Sequence, residues 1–183
     1  METPSDMELL ELVRCGDESG FRQLHTRYSG RIRRYGTRLL NDRDRADDIV
    51  QNVFVKLLTS AAAIRNGQSV RSWLFACARN EAFNELARRK MDEADDSIVS
   101  DGKSPEELMM IKQRDEIVED AVSRLRLCFR EAIMLRVYEQ MSYEEIAAVT
   151  QSSVSSVKAR LFKARKALIQ MLHPLWEASA HDI

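Results

Sequence analysis

The stretch SYEEIAAVTQSSVSSVKARLFKARKAL, Ser142 to Leu168, determines how the C-terminal part of this chain folds. Ser142 followed by Glu145 is the pattern of a capping box, which begins a helix, and the polar residues from Thr150 to Ser152 predict a turn after it. Apolar residues then recur every three or four positions, the period of a second helix. They are Val154, Val157, Leu161, Ala164 and Leu168. A short capped helix, a tight turn and a second helix from Ser153 onwards predict a helix-turn-helix.

The second predicted helix has five basic residues and no acidic one between Lys158 and Lys166. On its polar side, hydroxyl groups lie near the N-terminus and cations follow along the body. The predicted DNA-contacting set is Ser153, Ser155, Ser156, Lys158, Ala159, Phe162, Lys163 and Lys166, with Arg160 nearer the core edge. Such a helix suits the DNA major groove, where its N-terminal part reaches base edges and cations contact phosphates. A solvated helix face would look similar, but the capped helix before it and the aromatic residue on its polar side favour DNA binding.

Composition restricts the rest of the chain. The 183 residues are 44% hydrophobic and 31% charged, with six glycines and three prolines, so long solvated helices are favoured over a sandwich or barrel. No apolar run approaches the roughly 20 residues that span a bilayer, and no basic segment precedes an apolar one at the start, so we expect a soluble cytoplasmic chain without membrane contact. The three cysteines have no metal or disulfide spacing and are predicted to lie in the core. We expect no cofactor.

The net charge of −1 conceals a strong segregation of charge along the chain. Residues 1–90 contain 16 basic and 12 acidic residues, residues 91–120 contain 3 and 11, and residues 121–183 contain 9 and 6. We therefore predict an N-terminal block, residues 1–90, a flexible acidic linker, residues 91–104, and a C-terminal block, residues 105–176, with a tail at 177–183. Ser104, Pro105 and Glu107 are typical of a helix start and mark where order resumes.

Two helices are predicted early in the N-terminal block. One begins at Asp17 and has a single apolar stripe, formed by Phe21, Leu24, Tyr28, Ile32, Tyr35 and Leu39. The other follows Asp42 or Asp44, and its apolar arc covers about half of its circumference. This arc indicates either a helix buried against two neighbours or a helix that docks on another protein. The nearby aspartates lack the glycine and terminal glutamate of a calcium loop, so they are interpreted as helix caps and no metal is expected.

A second candidate nucleic-acid surface lies near the end of the N-terminal block. Trp73, Cys77, Asn80, Asn84 and Arg88 recur at helical spacing and form one stripe. An aromatic ring, two amides and a cation are the groups that bind unstacked bases. Trp73 alone would more often be a core residue. Together with the basic helix, the stripe predicts two nucleic-acid surfaces on two linked blocks.

These segments resemble a known family. ADDIVQNVFVKLL, residues 46–58, and SWLFACARNEAFNELARRK, residues 72–90, strongly resemble region 2 of bacterial sigma factors of the extracytoplasmic-function (ECF) group, and Leu125 to Leu168 resembles their region 4. The resemblance extends from Leu9 to Leu172. It implies an all-α fold of two small helical domains, a region 2 bundle and a region 4 helix-turn-helix, joined by the acidic linker.

The resemblance also implies functions for particular residues. A surface that docks on the β′ clamp helices of core RNA polymerase is implied for Asp47, Asp48, Gln51, Phe54 and Val55. The loop from about Ala61 to Ser72, with Trp73 and Asn80, would capture a flipped base of the minus-ten promoter element. Asn84 and Arg88 continue this surface. Lys158, Ala159, Phe162 and Lys163 match positions that read the minus-thirty-five element.

The implied function is that of a transcription initiation factor rather than an enzyme. Its partners would be core RNA polymerase, through the β′ clamp helices and the β flap, promoter DNA and a cognate anti-sigma factor. A stand-alone helix-turn-helix regulator is the alternative, although it leaves the first block unexplained. Two departures from the family pattern stand out: Gln151 replaces the turn glycine, at a cost of roughly 1 kcal/mol if its φ is positive, and Ala159 replaces a serine.

Overall fold

The computed structural model describes residues 3–64, 69–92 and 110–180, and these residues form eight α-helices and no strand. The helices are α1 (Asp6–Arg14), α2 (Glu18–Leu40), α3 (Arg43–Ser60), α4 (Val70–Asp92), α5 (Met110–Ser123), α6 (Leu127–Ile133), α7 (Tyr143–Thr150) and α8 (Val154–Ala180). This architecture confirms the predicted all-α class. Most of the predicted linker, the capping box at Ser104, residues 65–68 of the predicted base-capturing loop and the last three residues of the tail lie outside the described residues.

Side-chain caps begin the helices of the N-terminal block where the sequence places them. Ser5 and Glu8 form a complete capping box on α1. The Asp17 carboxylate accepts a hydrogen bond from the Ser19 N–H at the start of α2, over 2.7 Å. Asp42 accepts from the Arg45 N–H at the start of α3, over 3.1 Å. The α2 stripe from Leu24 to Leu39 is buried, as its spacing predicts.

The wide apolar arc of α3 is explained mainly by packing inside the block. α3 packs against both α2 and α4, and six of its residues are buried between them. These are Ala46, Ile49, Val50, Val53, Phe54 and Leu57. Two apolar residues of α3 remain outside: Val55 is 58% exposed and Leu58 is 56% exposed. The interpretation of a helix buried against two neighbours therefore holds for most of the arc, and Val55 and Leu58 are the large apolar residues of α3 that remain exposed.

The C-terminal block is built around the helix-turn-helix. A capping box of Ser142 and Glu145 begins α7, as predicted. The helix ends at Gln151, whose φ of 49° and ψ of 46° lie in the left-handed region. The stripe of α8 packs inward through Val157, Leu161 and Ala164. The sequence thus predicted both helices, and the positive φ of Gln151 meets the condition under which its replacement of a glycine has a cost.

The two blocks also pack against each other, which the sequence did not predict. One hydrophobic cluster includes buried residues from both blocks, among them Leu74 and Phe75 on α4 and Ile146 on α7. α4 packs against α7, and α2 packs against α6. The described helices therefore share a continuous core.

The cysteine prediction was wrong for one residue. Cys15 is exposed because it caps the C-terminal end of α1, where the chain turns towards α2. Cys77 and Cys128 are partly buried, and Cys77 packs against the core cluster.

Candidate nucleic-acid interface

Hydrogen bonds in the turn before α8 determine the direction in which this helix leaves the turn. The Ser152 N–H donates to the carbonyl of Ala147 over 3.0 Å, and the Thr150 hydroxyl donates to the carbonyl of Ile146 over 2.8 Å. Ser153 accepts from the Ser156 N–H over 3.2 Å and so occupies the capping position of α8. These contacts set the angle at which α8 leaves the turn and leave its polar side uncovered.

Most of the predicted contact residues of α8 face solvent. The exposed members are Ser153, Ser155, Lys158, Ala159, Phe162, Lys163 and Lys166. Phe162 is 70% exposed, which is unusual for a large apolar side chain and leaves its ring available to a ligand. Ser156 and Arg160 are partly buried. The position of Arg160 agrees with the prediction from the sequence that it lies near the core edge of the helix. The Lys158 ammonium lies 5.8 Å from the centre of the Tyr143 ring, a contact that the sequence analysis missed.

The α4 stripe is exposed at one end and half-buried at the other. Asn80, Asn84 and Arg88 face solvent. Trp73 is partly buried and packs against the core cluster, so its position agrees in part with the core interpretation. Arg88 forms an ion pair with Glu85 over 2.6 Å. The exposed amides are thus carried on a helix that Trp73 helps to hold in place.

A polar groove of about 330 Å³ separates α3 from α4 and brings together residues from two predicted surfaces. Asp48 and Gln51 come from the predicted docking set, and Asn84 and Arg88 come from the predicted base-reading stripe. Arg45, Asn52, Glu81 and Glu85 also line the groove and were not predicted as site residues. The Asn52 amide donates to Glu81 over 3.2 Å across it. The position of Asn52 on the polar side of α3 was the available sequence signal.

The predicted docking residues on α3 differ in how they are placed. Asp48, Gln51 and Val55 are exposed, and Asp47 is partly buried and pairs with Arg33. Phe54, in contrast, is only 3% exposed. Its ring packs against His25 at a centroid distance of 4.6 Å and against Phe21 at 5.8 Å, so it supports the helix from the inside. Leu58, one turn after Phe54, is 56% exposed, although the set of residues predicted to dock on the polymerase did not include it.

The geometry can be compared with known proteins. Residues 24–91 match the family described as Sigma-70 region 2, and residues 115–168 match the family described as Sigma-70, region 4. The chain belongs to the ECF group of sigma factors. The region 2 match covers most of α2 and extends to the end of α4, and the region 4 match extends from α5 into α8. A stand-alone helix-turn-helix regulator would account for only the second match.

Curated relatives of this ECF sigma factor align over nearly their whole length. The chain is 31% identical to RNA polymerase sigma-H factor of Pseudomonas aeruginosa, covering 93% of this chain and 95% of the relative. It is 31% identical to the ECF RNA polymerase sigma-E factor of Escherichia coli K12, covering 95% and 97%. As a sigma factor, the chain is a transcription initiation factor.

Solved sigma factor structures have the same fold. The sigma factor RpoE of Bartonella quintana, in complex with the anti-sigma factor NepR, matches with a TM-score of 0.71 at 26% identity, covering 84% of this chain and 96% of that one. CnrH, in complex with the cytosolic domain of CnrY, matches in fold with a TM-score of 0.69 at 22% identity, covering 92% and 97%. Among the described residues of this sigma factor, no helix has the length and apolar character needed to cross a membrane, and no cluster of metal-ligating side chains occurs.

Proposed function

We propose that this ECF sigma factor binds core RNA polymerase through α3 and directs it to promoters by reading the minus-thirty-five element with α8 and the melted minus-ten element with α4. The observation that supports this most directly is the polar face of α8. It presents hydroxyls near its N-terminus, exposed cations along its body and a 70% exposed Phe162. These groups suit base edges, phosphates and a thymine methyl group or sugar in the major groove.

The minus-ten function of α4 rests on its exposed amides. Asn80 and Asn84 offer planar donors and acceptors to the edge of an unstacked base, and Arg88 offers a cation beside the backbone. Trp73, half-buried at the other end of the stripe, supplies an aromatic surface. Capture of a flipped base exchanges stacking energy for contacts in the site, so opening of the promoter requires no ATP.

Docking on the β′ clamp helices is assigned to the solvent face of α3. Asp48 and Gln51 supply polar contacts, and Val55 and Leu58 supply the exposed apolar surface. Phe54 acts indirectly in this proposal, since its buried ring holds α3 against α2. A small apolar centre with a polar rim is the usual composition of a protein interface. The C-terminal block is assigned a second contact, with the β flap.

An anti-sigma factor is the remaining proposed partner. In one of the similar structures described above the sigma factor RpoE is bound to the anti-sigma factor NepR, and in the other CnrH is bound to the cytosolic domain of CnrY. A protein that covers both the α3 face and the α8 face would block the polymerase contact and the promoter contact together. We propose that a cognate protein of this kind controls the present chain.

Run-off transcription with core RNA polymerase on a library of promoter fragments tests the proposal. Specific transcripts are expected only when the protein is added. Lys158→Ala/Lys163→Ala should abolish dependence on the minus-thirty-five sequence while core binding persists. Asp48→Ala/Val55→Ser should lose core binding and all transcripts.

Two control variants match these changes in chemistry. Arg124→Ala removes a cation from the same block whose side chain is 70% exposed, and Ile169→Ser replaces an apolar residue that is 61% exposed. With either variant, core RNA polymerase should give the same specific transcripts as with the unmodified protein. If core polymerase gains no promoter specificity while the protein alone binds duplex DNA tightly, the proposal is wrong and the chain acts as a conventional regulator.

A further inference from the structure

The Tyr143 ring, at the start of α7, contacts two cations. The Lys158 ammonium on α8 lies 5.8 Å from the ring centre, and the Arg136 guanidinium lies 5.0 Å from it. Both distances fall within about 6 Å, the range in which a cation is attracted to the face of an aromatic ring. Arg136 belongs to the π-helical turn Met134–Tyr138, so the ring links this turn to both helices of the helix-turn-helix.

The surroundings of the Tyr143 ring hold it in place. Tyr143 is the first residue of α7, directly after the capping residue Ser142, and its side chain is partly buried against the hydrophobic cluster. Arg136 is itself anchored, since its Nη1 donates to the carbonyl of Met141 over 2.6 Å. A tyrosine side chain also has few rotatable torsions, so ordering it costs little conformational entropy. The ring is therefore a fixed point beside α8.

Lys158 is the flexible partner in this contact. Its side chain is exposed on the polar side of α8 and carries its charge on a long, rotatable stem. In the part of the chain that the structure describes, Lys158 forms no salt bridge, so no carboxylate neutralises its charge at short range. Lys163, further along the same face, is also exposed but contacts no aromatic ring among the described residues. The Tyr143 ring thus orders Lys158 and not Lys163.

Glu144, the residue after Tyr143, also acts on Lys158. Hydrogen bonds from its own N–H and from Ser142 lower the pKa of the exposed Glu144 carboxyl, and the charges of Lys158 and Arg136 lower it further. Glu144 is therefore ionised at neutral pH and attracts the Lys158 ammonium towards the start of α7. The ring and the carboxylate favour the same placement of Lys158, beside the turn that joins the two helices.

Ordering of Lys158 before DNA arrives lowers the entropic cost of binding. A long side chain that becomes immobilised on binding loses rotamer freedom, and a side chain that is already ordered loses less. Because α8 begins at Val154, Lys158 lies in its second turn. The first turns of a recognition helix are the part that reaches base edges in the major groove. The position of the Lys158 ammonium therefore matters more for recognition than that of a cation further along the helix.

We propose that Tyr143 is a positioning residue for promoter recognition, whose ring holds the Lys158 ammonium in the orientation in which α8 meets the minus-thirty-five element. The inference rests on the proposed function of α8, and it adds a residue of α7 to a surface otherwise assigned to α8 alone. Tyr143 acts through Lys158 and has no need to touch DNA itself. The strength of an exposed contact between a cation and a ring corresponds to about a two- to fivefold effect on affinity.

Fluorescence anisotropy with the full chain and a duplex that contains the minus-thirty-five element tests this function. Tyr143→Leu should weaken binding about two- to fivefold, whereas Tyr143→Phe, which retains the ring, should bind as tightly as the unmodified protein. In a Lys158→Ala background Tyr143→Leu should have no further effect, because the ring then has no ammonium to position. Tyr138→Leu is the matched control and should leave the affinity unchanged, since the Tyr138 ring contacts Arg38, at 4.2 Å, and not α8.

Nuclear magnetic resonance tests the contact itself in the absence of DNA. The ring current of Tyr143 should shift the ε-methylene protons of Lys158 upfield in the unmodified protein and in Tyr143→Phe, but not in Tyr143→Leu. Circular dichroism establishes that each variant keeps its helices. If Tyr143→Leu loses them, Tyr143→Met takes its place, because methionine adapts to an irregular gap. An unmodified protein without the upfield shift would overturn the proposal.

Two binding results would also overturn it. If Tyr143→Leu weakens binding equally with and without the Lys158 ammonium, the ring supports the fold and does not act through Lys158. If Tyr143→Leu binds the duplex more tightly, the ring holds Lys158 away from DNA. If neither the unmodified protein nor any variant binds the duplex while the upfield shift is observed, the proposed function of α8 fails, and the positioning role with it, although the contact between ring and ammonium stands.

Discussion

At the scale of single residues, Gln151 forms the turn between α7 and α8 at a cost in the free energy of folding. Its φ of 49° and ψ of 46° place a residue with a Cβ in the left-handed region, which glycine occupies without strain. The residue is exposed and its N–H caps α7 by donating to Ala147, so the side chain has no packing function that a glycine would lose.

Gln151→Gly should therefore stabilise the protein by about 0.5–1 kcal/mol, since relief of strain exceeds the added flexibility of the unfolded chain. Gln170→Gly is the matched control, because Gln170 is exposed inside α8, where glycine costs about 1 kcal/mol. Urea unfolding followed by circular dichroism measures both. A destabilising Gln151→Gly would contradict the strain at the turn.

Cys77 illustrates how burial controls chemical reactivity. Burial raises the pKa of its thiol to about 11, and of the two smaller effects Lys56 acts to lower the pKa while Glu81 acts to raise it. At pH 8 only about 0.1% of such a thiol is the reactive thiolate. Exposed Cys15 should react with a disulfide reagent long before Cys77 does, and the rate at Cys77 should rise about tenfold per pH unit up to its pKa. Mass spectrometry of the labelled sites at pH 7, 8 and 9 measures this, and fast labelling of Cys77 at pH 7 would contradict it.

At the scale of helices, a close approach between α1 and α2 depends on Gly20. A Cβ at Gly20 would lie 2.6 Å from the carbonyl oxygen of Leu9 and 2.6 Å from the Leu12 Cβ. Since one obstacle is backbone, α1 would have to move away from α2. At Gly30, on the same helix, the nearest atom is the flexible end of Arg34 at 3.6 Å.

Gly20→Ala should thus destabilise the protein by about 1–3 kcal/mol through overpacking. Gly30→Ala should instead stabilise it by up to about 1 kcal/mol, because alanine is the better helix former. Comparison of the two variants isolates the effect of the close approach between α1 and α2, because each change adds one methyl group to α2. Thermal unfolding of the two variants measures the difference, and equal effects would argue against tight α1–α2 packing.

The helices themselves could largely be predicted from the sequence, because caps and periodicity are local signals. Asp17, Asp42 and Ser142 began helices where expected, and the α2 stripe is buried. Periodicity gives the apolar face of a helix but not what covers it. Hence the sequence did not separate buried Phe54 from exposed Leu58, both of which lie in the apolar arc of α3.

The groove between α3 and α4 could not be predicted for a related reason. It depends on the packing angle of two helices whose facing residues are far apart in the sequence, as in the contact between Asn52 and Glu81. The exposed face of α8 was easier to predict, because the sequence of a single helix contains both the buried stripe and the polar side.

At the scale of the whole molecule, the contact between blocks is the largest feature that the sequence did not reveal. Charge segregation indicated an acidic strip at residues 91–120, but not that arginines on α2 and α4 would face glutamates from Glu119 to Glu145. Such pairing is non-local, and Glu131 has no sequence signal that distinguishes it from a solvated glutamate. Only the arrangement of the blocks identifies it as a buried charge.

The packing of the two blocks against each other predicts how the free protein binds DNA. A compact chain of 183 residues is about 40 Å across, whereas elements about 25 base pairs apart lie about 85 Å apart along the DNA. The free chain should therefore bind a promoter duplex with the affinity of α8 alone, which phosphate contacts dominate. Fluorescence anisotropy should give equal affinities for a duplex with both elements and for one with only the minus-thirty-five element. Once polymerase holds the blocks apart, the second contact becomes intramolecular, and the two-element duplex should bind about 100-fold more tightly or better.

The salt dependence of DNA affinity distinguishes this explanation from one in which the C-terminal block is only partly folded. Lys158→Ala/Lys163→Ala should weaken binding of the free chain to both duplexes equally and reduce the slope of log affinity against log salt by up to about 2, one counterion for each lost phosphate contact. Arg124→Ala, outside α8, should leave the slope unchanged. A free chain that already prefers the two-element duplex would mean that its surfaces reach both elements without polymerase. The packing of the two blocks would then not limit promoter binding.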